Sequence, residues 1–310
     1  MAPDFPTNKL LSQQSEVVIV LPEGATGSVI AQLLFENQIV KSSESFFRVA
    51  VGDKRSAKIA PGNHRISQNI SAIQALEQLL DANRIPNLIK IYEGGWKSEV
   101  VTSLVNYGFS ATDIAKAFSI AHLPQGFNQV EGLLFPAQYS FAKGTPVTAA
   151  VQAMIDRFTS ESVAQQLLLG SKEFTGQKLL TIASIVQAEG DEKDFSRISR
   201  VIRNRLAIGM PLQMDSTVHF IKKVRGQIFL STQSTLINSP YNTYKRYGLP
   251  PGPIGSPGVA AMTAALKPEV GDWLYFITVT PGDTRFTKSI NVFNSWKLLY
   301  EKNRKAGAFK

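Results

Sequence analysis

Cysteine is absent from the 310-residue chain, and histidine occurs only three times. The lack of cysteine excludes disulfides, thiolate metal sites and cysteine nucleophiles. His64, His122 and His219 are scattered and do not have the HExxH spacing of a helical zinc site. The sequence therefore predicts no metal site and no other cofactor.

Long apolar runs are missing as well. No stretch approaches the roughly 18 consecutive apolar residues of a membrane span. The longest candidates, VVIV at 17–20 and LLTIASIV at 179–186, are a predicted strand and part of a predicted helix. Residues 1–11 contain prolines and an aspartate but no apolar core, so no signal peptide is predicted. We expect a soluble chain, which could equally be trimmed from an anchored parent.

Negative charge is scarce relative to positive charge. The chain has 33 Lys and Arg against 24 Asp and Glu, a formal net charge of +9. Such an excess suggests an anionic partner, either nucleic acid or the acidic polymers and lipids of a bacterial envelope. The basic residues are spread along the chain, without an RNP, zinc-finger or homeodomain pattern. We therefore expect a solvated basic surface and no nucleic-acid site.

The apolar pattern predicts an α+β protein with two domains. Residues 15–85 show a strand–helix–helix–strand order with its own apolar positions, and Ser43 and Ser71 are predicted helix N-caps. Residues 86–310 combine helices with short, separated strands. Within them, residues 209–258 lack periodicity and are rich in Gly, Pro, Asn, Ser and Tyr. Such an irregular span is more typical of a binding surface than of a linker.

One carboxylate lies where an apolar residue is expected. The segment LLTIASIVQAEG at 179–190 predicts a helix with Ile182, Ile185, Val186 and Glu189 on one stripe. The negative end of the helix dipole and the apolar surroundings should both raise the pKa of Glu189. A carboxyl protonated near neutral pH suits a general acid, and Gly190 would let the chain turn away from it. The alternative is an ordinary helix-end glutamate that curls into solvent.

Four blocks give the sequence a family resemblance. TIASIVQAEG (181–190), VIRNRLAIGMPLQMDSTVHF (201–220), SPYNTYKRYGLPPGPIGSPG (239–258) and EGLLFPAQYSFAKGT (131–145) closely resemble the bacterial endolytic murein transglycosylase, or YceG-like, family. The blocks follow the family's order within residues 130–280. The resemblance implies a small LysM-like module at 15–85, matched more weakly, and a larger mixed α+β catalytic YceG-like domain at 86–310.

The resemblance also implies a reaction. Members are lytic transglycosylases that cut the MurNAc–GlcNAc bond within peptidoglycan glycan strands and leave 1,6-anhydro-MurNAc ends. The family's catalytic glutamate matches Glu189, whereas Gln187 replaces a second glutamate that many members carry. One acid can serve twice, because the muramic acid 6-hydroxyl, rather than an activated water, attacks the anomeric carbon. Arg285 and Phe293 stand where many relatives carry histidines, so no role of those histidines is carried over.

Further residues are predicted to bind the sugar chain. Hydrogen-bonding and aromatic side chains in two of the blocks supply these candidates: Gln213, Asp215, Tyr241, Asn242, Thr243 and Tyr244. Alternatively, Gln213 and Asp215 only stabilise a turn, and Asp215 caps a helix that begins at Ser216. Several other residues are predicted to have a structural role or to be second-choice candidates. Asn204 and Arg205 are assigned to structural hydrogen bonding, Glu131 is the runner-up acid, Phe135 and Tyr139 are core, and His219 is a hydrogen-bonded, partly buried histidine.

Two other functions stay open at this stage. The first is a muramidase-type hydrolase that uses Glu189 as acid and Asp215 as base or nucleophile. The second is a non-catalytic scaffold that binds the cell wall, against which the intact ASIVQAE and PYNTY motifs argue. The resemblance places the chain outside the cytoplasmic membrane, through an anchor not seen in this sequence. It implies glycan strands as substrate and peptidoglycan synthases as candidate partners.

Overall fold

The computed structural model describes residues 2–7, 15–22, 24–86, 88–141, 144–225 and 231–309. Six strands are present in the described part, in three separate two-stranded sheets: β1 Glu16–Leu21, β2 Gly62–Ser67, β3 Ile89–Lys90, β4 Gln138–Tyr139, β5 Tyr275–Thr280 and β6 Asp283–Thr287. Thirteen α-helices are described: α1 Gly27–Glu36, α2 Ser43–Gly52, α3 Ala72–Leu80, α4 Lys97–Tyr107, α5 Ala111–Ile120, α6 Val147–Ser160, α7 Ser162–Leu168, α8 Gly176–Glu189, α9 Phe195–Ala207, α10 Asp215–Lys222, α11 Thr232–Thr235, α12 Val259–Leu266 and α13 Ile290–Lys305.

The chain forms two compact units. The first comprises residues 1–90, 102–115 and 138–150, and the second comprises 91–101, 116–137 and 151–310. In the first unit, β1 pairs antiparallel with β2, and α1, α2 and α3 bury their apolar faces in a common core with this hairpin. Ser71 caps α3, as predicted, and forms a capping box with Gln74. The cap of α2 is Ser42 rather than the predicted Ser43.

Helix α8 is the central element of the second unit. Every residue from Leu179 to Val186 is buried, and α8 packs against α7, α9, α10 and α12. Such burial on all sides leaves only the two ends of the helix near the surface. The hydroxyl of Ser184 accepts a hydrogen bond from the backbone N–H of Ile254 at 3.0 Å, which ties a proline-rich loop to the helix. This arrangement fixes the C-terminal end of α8, where Glu189 lies.

Two glycine-containing segments contact each other near the C-terminal end of α8. The backbones of Gly95 and Ser256 form an isolated antiparallel bridge. At Gly255, φ is +154°, and a Cβ would lie 2.6 Å from the carbonyl oxygen of Gly94. Only glycine permits so close an approach between two backbones. The Gly-Ser-Pro-Gly turn in the predicted binding span is therefore fixed to the segment that precedes α4.

The structure confirms the predicted α+β class and the strand–helix–helix–strand order at the N-terminus. The LysM likeness of that segment and the boundary at residues 85 and 86 stay predictions, and the first unit also takes in 102–115 and 138–150. The span 209–258 is less irregular than expected because it contains α10 and α11, although its residues 226–230 lie outside the described ones. Ala142 and Lys143 of the 131–145 block also lie outside them. Within the described ranges, no helix has the length and apolar character needed to cross a membrane.

Candidate active site

Glu189 is the last residue of α8, as the sequence predicts. Ile182, Ile185 and Val186, which share its stripe, are completely buried, so the stripe faces the interior up to its final residue. Gly190, which follows Glu189, has an extended backbone. A Cβ at Gly190 would lie 2.5 Å from the Cδ1 of Ile198. The glycine is therefore explained by close packing against α9 and not by a special turn.

The N-terminus of α10 faces the carboxylate of Glu189. The backbone N–H of Ser216 donates to Oε1 of Glu189 at 3.0 Å. Met214, the N-cap residue, is held in place because its own N–H donates to the hydroxyl oxygen of Thr243 at 2.9 Å. Asp215 is the first residue of α10 and not its N-cap, so the alternative in which Asp215 caps this helix is wrong. Instead, Glu189 accepts a hydrogen bond from one of the backbone N–H groups at the start of α10, which have no partner within the helix.

Burial determines the acidity of Glu189. The pKa of this carboxyl is raised from 4.5 to about 7, and its removal from water is the largest cause. The nearby charge of Asp215 also raises the pKa, whereas hydrogen bonding from Ser216 and the charge of Arg205 lower it. Burial outweighs the donors, so near neutral pH a substantial fraction of Glu189 is protonated. A carboxyl in this state can donate a proton and then accept one.

Asp215 and Tyr244 form a hydrogen-bonded pair beside Glu189. The phenolic hydroxyl of Tyr244 donates to Oδ1 of Asp215. Burial and the neighbouring Asp215 both raise the pKa of Tyr244, so its hydroxyl stays protonated and remains a donor. The pair keeps a negative charge at a defined position within the site. Neither residue is free to adopt another orientation without breaking this bond.

Arg205 supplies the buried positive charge of the site. Its Nε donates to the carbonyl of Leu274 at 2.6 Å, and its Nη1 donates to the carbonyl of Leu212. Its guanidinium lies 5.5 Å from the centroid of the Tyr275 ring. The predicted structural hydrogen bonding is confirmed for Arg205, and also for Asn204, which donates to two backbone carbonyls. Arg205 additionally lines the cavity that contains Glu189.

These groups line a cavity of about 380 Å³. Glu189, Arg205, Gln213, Asp215 and Tyr244 form one part of its lining. The other part comes from the C-terminal hairpin and helix, through Tyr275, Phe276, Ile290, Phe293 and Lys297. The rings of Tyr275 and Phe293 stack with their centroids 5.3 Å apart. The cavity thus combines an acid, a buried cation and an aromatic surface, which suits a polar ligand with apolar ring faces.

Sequence reasoning missed the contribution of the hairpin and α13. Ile290, Phe293 and Lys297 are spaced at i, i+3 and i+7, which places them on one face of α13. That spacing predicts a shared helix face, but nothing in the sequence shows which part of the protein this face contacts. Phe293 lines the cavity, whereas Arg285 pairs with Asp283 through a salt bridge of 2.7 Å. Of these two residues, Phe293 is therefore placed at the cavity.

The candidates from the PYNTY block divide into two groups. Tyr244 lines the cavity, whereas Tyr241 packs its ring 5.1 Å from that of Phe220 and its hydroxyl donates to Gln129. Asn242 and Thr243 are fully buried. Thr243 binds Met214, and Asn242 donates to two loop carbonyls and accepts from the backbone of Tyr244. Their buried contacts support positioning of the loop rather than contact with a ligand.

Gln213 differs from these residues because its exposed side chain lines the cavity while its backbone is strained. Its φ of +49° lies in the left-handed region that few non-glycine residues adopt. Its N–H donates to the carbonyl of Thr243 at 3.1 Å, which holds the conformation. Such strain is often retained at functional positions, where the surrounding structure fixes a side chain in a useful direction. This geometry supports the predicted role of Gln213 in binding.

Replacement of Asn242 tests the positioning role. Asn242→Ala should lower the free energy of unfolding by about 1–3 kcal/mol, because the part-buried carbonyls of Thr235 and Ile237 lose their donor. Urea unfolding of both proteins measures the difference. Asn238→Ala, at an exposed position of the same loop, is the control and should cost less than about 1 kcal/mol. Equal, small effects of the two changes would contradict the positioning role.

Glu131 and His219 lie outside this cavity. Glu131 accepts a hydrogen bond from the backbone N–H of Lys97 at 2.9 Å, and burial raises its pKa to about 7. It therefore resembles Glu189 in acidity but not in surroundings. His219 is partly buried, as predicted, but its Nε2 has no hydrogen-bond partner among the described residues. Phe135 is in the core, as predicted.

Comparison with known proteins identifies relatives of this chain. The model of the YceG-like family matches residues 19–297. A Bacillus subtilis protein named endolytic murein transglycosylase is 31% identical over 94% of this chain and 87% of its own length. A Streptococcus pneumoniae protein of the same name is 34% identical over 52% of this chain and 30% of its own length.

A solved structure is also similar to this chain. A crystal structure described as that of a yceG-like protein from Listeria monocytogenes has a TM-score of 0.62 and 26% identity. The match covers 90% of this chain and 98% of that chain. Because the family model covers most of the chain and the Bacillus relative matches nearly all of it, the chain belongs to the YceG-like family.

Proposed function

We propose that the protein is an endolytic peptidoglycan lytic transglycosylase. It cleaves the MurNAc–GlcNAc bond within glycan strands and leaves a 1,6-anhydro-MurNAc end. The observation that carries the proposal is the enclosed carboxyl of Glu189, with its pKa raised to about 7, in a cavity of a YceG-like chain. The name of the Bacillus relative supports the substrate.

Glu189 can perform both proton transfers of this reaction. Its protonated carboxyl donates to the glycosidic oxygen as the bond from that oxygen to the anomeric carbon breaks. The 6-hydroxyl of the same muramic acid forms a new bond to the anomeric carbon and returns its proton to Glu189. No water is consumed, and the acid is regenerated. The donor from Ser216 stabilises the carboxylate between the two transfers.

The remaining lining residues suit a sugar with developing positive charge. Asp215, held by Tyr244, places negative charge in the cavity, where it stabilises an oxocarbenium-like transition state. The stacked rings of Tyr275 and Phe293 offer an apolar surface to a pyranose face. The exposed amide of Gln213 can hydrogen-bond a hydroxyl or N-acetyl group.

The muramidase-type hydrolase is the second candidate, because Asp215 lies in the same cavity as Glu189. The two functions differ in their products. A transglycosylase releases anhydro ends whose mass is lower by one water than that of the hydrolysed, reducing ends. Mass spectrometry of glycan strands digested by the wild-type protein therefore tests the proposal directly. Hydrated, reducing ends alone would overturn it.

Asp215→Asn separates a supporting role from a nucleophilic one. If Asp215 only stabilises positive charge, the variant should lose about tenfold or more in rate and still release anhydro ends. Mass spectrometry and the rate of strand cleavage check both parts. Asp191→Asn, at an exposed position two residues beyond Glu189, is the control and should behave as wild type. Complete loss in the Asp215 variant, with hydrated ends from wild type, would favour the hydrolase.

Location and protein partners follow from the family resemblance. Peptidoglycan lies outside the cytoplasmic membrane, so the proposed site of action is the extracytoplasmic face of that membrane. An enzyme that cuts new strands acts next to peptidoglycan synthases, which are the proposed protein partners. The net charge of +9 is compatible with an anionic envelope.

A further inference from the structure

The first turn of α10 has no side-chain cap of its own. Its N-cap residue is Met214, whose thioether is a weak acceptor and makes no capping hydrogen bond. Helices usually begin with Ser, Thr, Asp or Asn at this position. Other groups must therefore set the position of the backbone at the start of α10. This position matters for the site because Ser216, two residues after Met214, hydrogen-bonds Glu189 through its N–H.

Two buried threonines supply those groups. The N–H of Met214 donates to the hydroxyl oxygen of Thr243 at 2.9 Å, and the hydroxyl of Thr217 donates to the carbonyl of Met214 at 2.7 Å. The two hydroxyl oxygens lie 3.0 Å apart. Because Thr217 gives its proton to the carbonyl, Thr243 is the donor between the two hydroxyls. The three bonds form a closed ring on Met214, and hydrogen bonds linked in this way polarise and strengthen one another.

The residues on both sides of Met214 are bonded to the same loop as Met214 itself. The N–H of Gln213 donates to the carbonyl of Thr243 at 3.1 Å, and the hydroxyl of Tyr244 donates to Oδ1 of Asp215. Three consecutive residues are thus held by two consecutive residues of the loop. Thr243 is only 1% exposed. It therefore acts on the start of α10 and not on a ligand.

We propose that Thr243 is a positioning residue of the active site, whose hydroxyl holds the start of α10 so that Ser216 donates to Glu189. The inference rests on the proposed function. A displacement of Met214 moves the N–H of Ser216 away from the carboxylate. Hydrogen bonds to a carboxylate favour its charged form, so a weaker bond from Ser216 should raise the pKa of Glu189. It should also stabilise the carboxylate less between the two proton transfers.

Other charged and titratable groups face Glu189 and affect its pKa. The charge of Asp215 raises this pKa, so a displacement of Asp215 together with α10 would lower it. Hydrogen bonding from Ser216 has the larger effect of the two, and Tyr244 still holds Asp215 when the hydroxyl of Thr243 is removed. The net change should therefore be a rise. The remaining groups lie on other elements that line the cavity: Arg205 on α9, Tyr275 on β5 and Lys297 on α13.

Thr243→Val tests the proposal, because valine has nearly the shape of threonine and lacks the hydroxyl. The first measurement is a carbon-13 NMR titration of the Glu189 carboxyl in glutamate-labelled protein, with Glu189→Gln to assign the signal. We expect the pKa to rise by about half a unit to one unit. The second measurement is the pH dependence of glycan-strand cleavage. The alkaline limb of kcat/KM should move upward by the same amount, because a general acid must be protonated. We expect kcat to fall about tenfold while KM changes less than about twofold.

Three further variants separate positioning from packing. Thr243→Ser keeps the hydroxyl and loses the methyl group, so it should retain the wild-type pKa, which a packing role alone would not predict. Thr217→Val interrupts the ring but keeps the bond between Met214 and Thr243, so it should fold and raise the pKa by a smaller amount. Thr181→Val is the matched control, because Thr181 is also buried but its hydroxyl donates within α8, to the carbonyl of Gln177 at 2.8 Å. It should leave the pKa of Glu189 unchanged.

The NMR titration needs no activity, so it distinguishes this proposal from the proposed function. An unchanged or lowered pKa of Glu189 in Thr243→Val would overturn the positioning role, and so would an equal rise in Thr181→Val. If Thr243→Val does not fold, Thr217→Val decides by the same criteria. If wild type makes anhydro ends and the pKa does not move, the proposed function stands and the positioning role fails. If wild type makes no anhydro ends but the pKa rises as expected, the function fails and the positioning role stands.

Discussion

Glu189→Gln should lower the rate of glycan cleavage by about 10³-fold or more, because general acid–base catalysis depends on the proton that the amide lacks. Glutamine has nearly the same size, and its side-chain oxygen can still accept from the N–H of Ser216. The fold should therefore be preserved, and only proton transfer should be lost. The release of anhydro ends from purified glycan strands, followed by mass spectrometry, measures the effect.

Two controls define the specificity of this result. Glu192→Gln changes an exposed glutamate three residues further along and should leave the rate unchanged. Glu131→Gln removes the other carboxyl whose pKa is raised to about 7, outside the cavity of Glu189. It should retain most of the activity. Near-wild-type cleavage by the Glu189 variant, with loss of cleavage in the Glu131 variant, would transfer the catalytic role to Glu131.

The same substitution should stabilise the folded protein above neutral pH. The pKa of Glu189 is 4.5 ordinarily and about 7 in the folded state. The folded state therefore holds its proton more tightly than the unfolded state, and wild-type stability falls as pH rises from about 4.5 to about 7. Glutamine carries no charge at any pH and avoids this loss. At about pH 8, Glu189→Gln should raise the free energy of unfolding by about 2–3 kcal/mol, and at about pH 4 by much less.

Urea unfolding of wild type and variant at both pH values measures this difference. Glu192→Gln serves again as the control and should change stability little at either pH. Equal destabilisation by Glu189→Gln at both pH values would show that the carboxylate accepts hydrogen bonds that the fold requires. In that case burial would not be the dominant influence on Glu189. Loss of activity together with a gain in stability is the pattern expected of a buried catalytic acid.

The sequence by itself determined the α+β class and the helix that ends at Glu189. The period of the apolar residues in 179–189 was enough to place α8, its buried stripe and the acid at its end. Ser71, which the sequence predicts as an N-cap, marks the start of α3. These features depend on residues that are only a few positions apart in the chain. The sequence therefore shows their spacing directly. The four family blocks added the acid and the reaction that we propose, which no periodicity contains.

Only the tertiary structure decided what surrounds that acid. The amide that binds Glu189 belongs to Ser216, 27 residues away, and the aromatic part of the cavity comes from the hairpin and α13, which include Tyr275 and Phe293. Sequence reasoning assigned Asn242 to the ligand, yet packing buries it and commits its amide to the loop. Residues far apart in the chain come into contact through tertiary packing. Such contacts have no characteristic spacing in the sequence. The burial that raises the pKa of Glu189 depends on those distant segments, so its size could not be predicted from α8 alone.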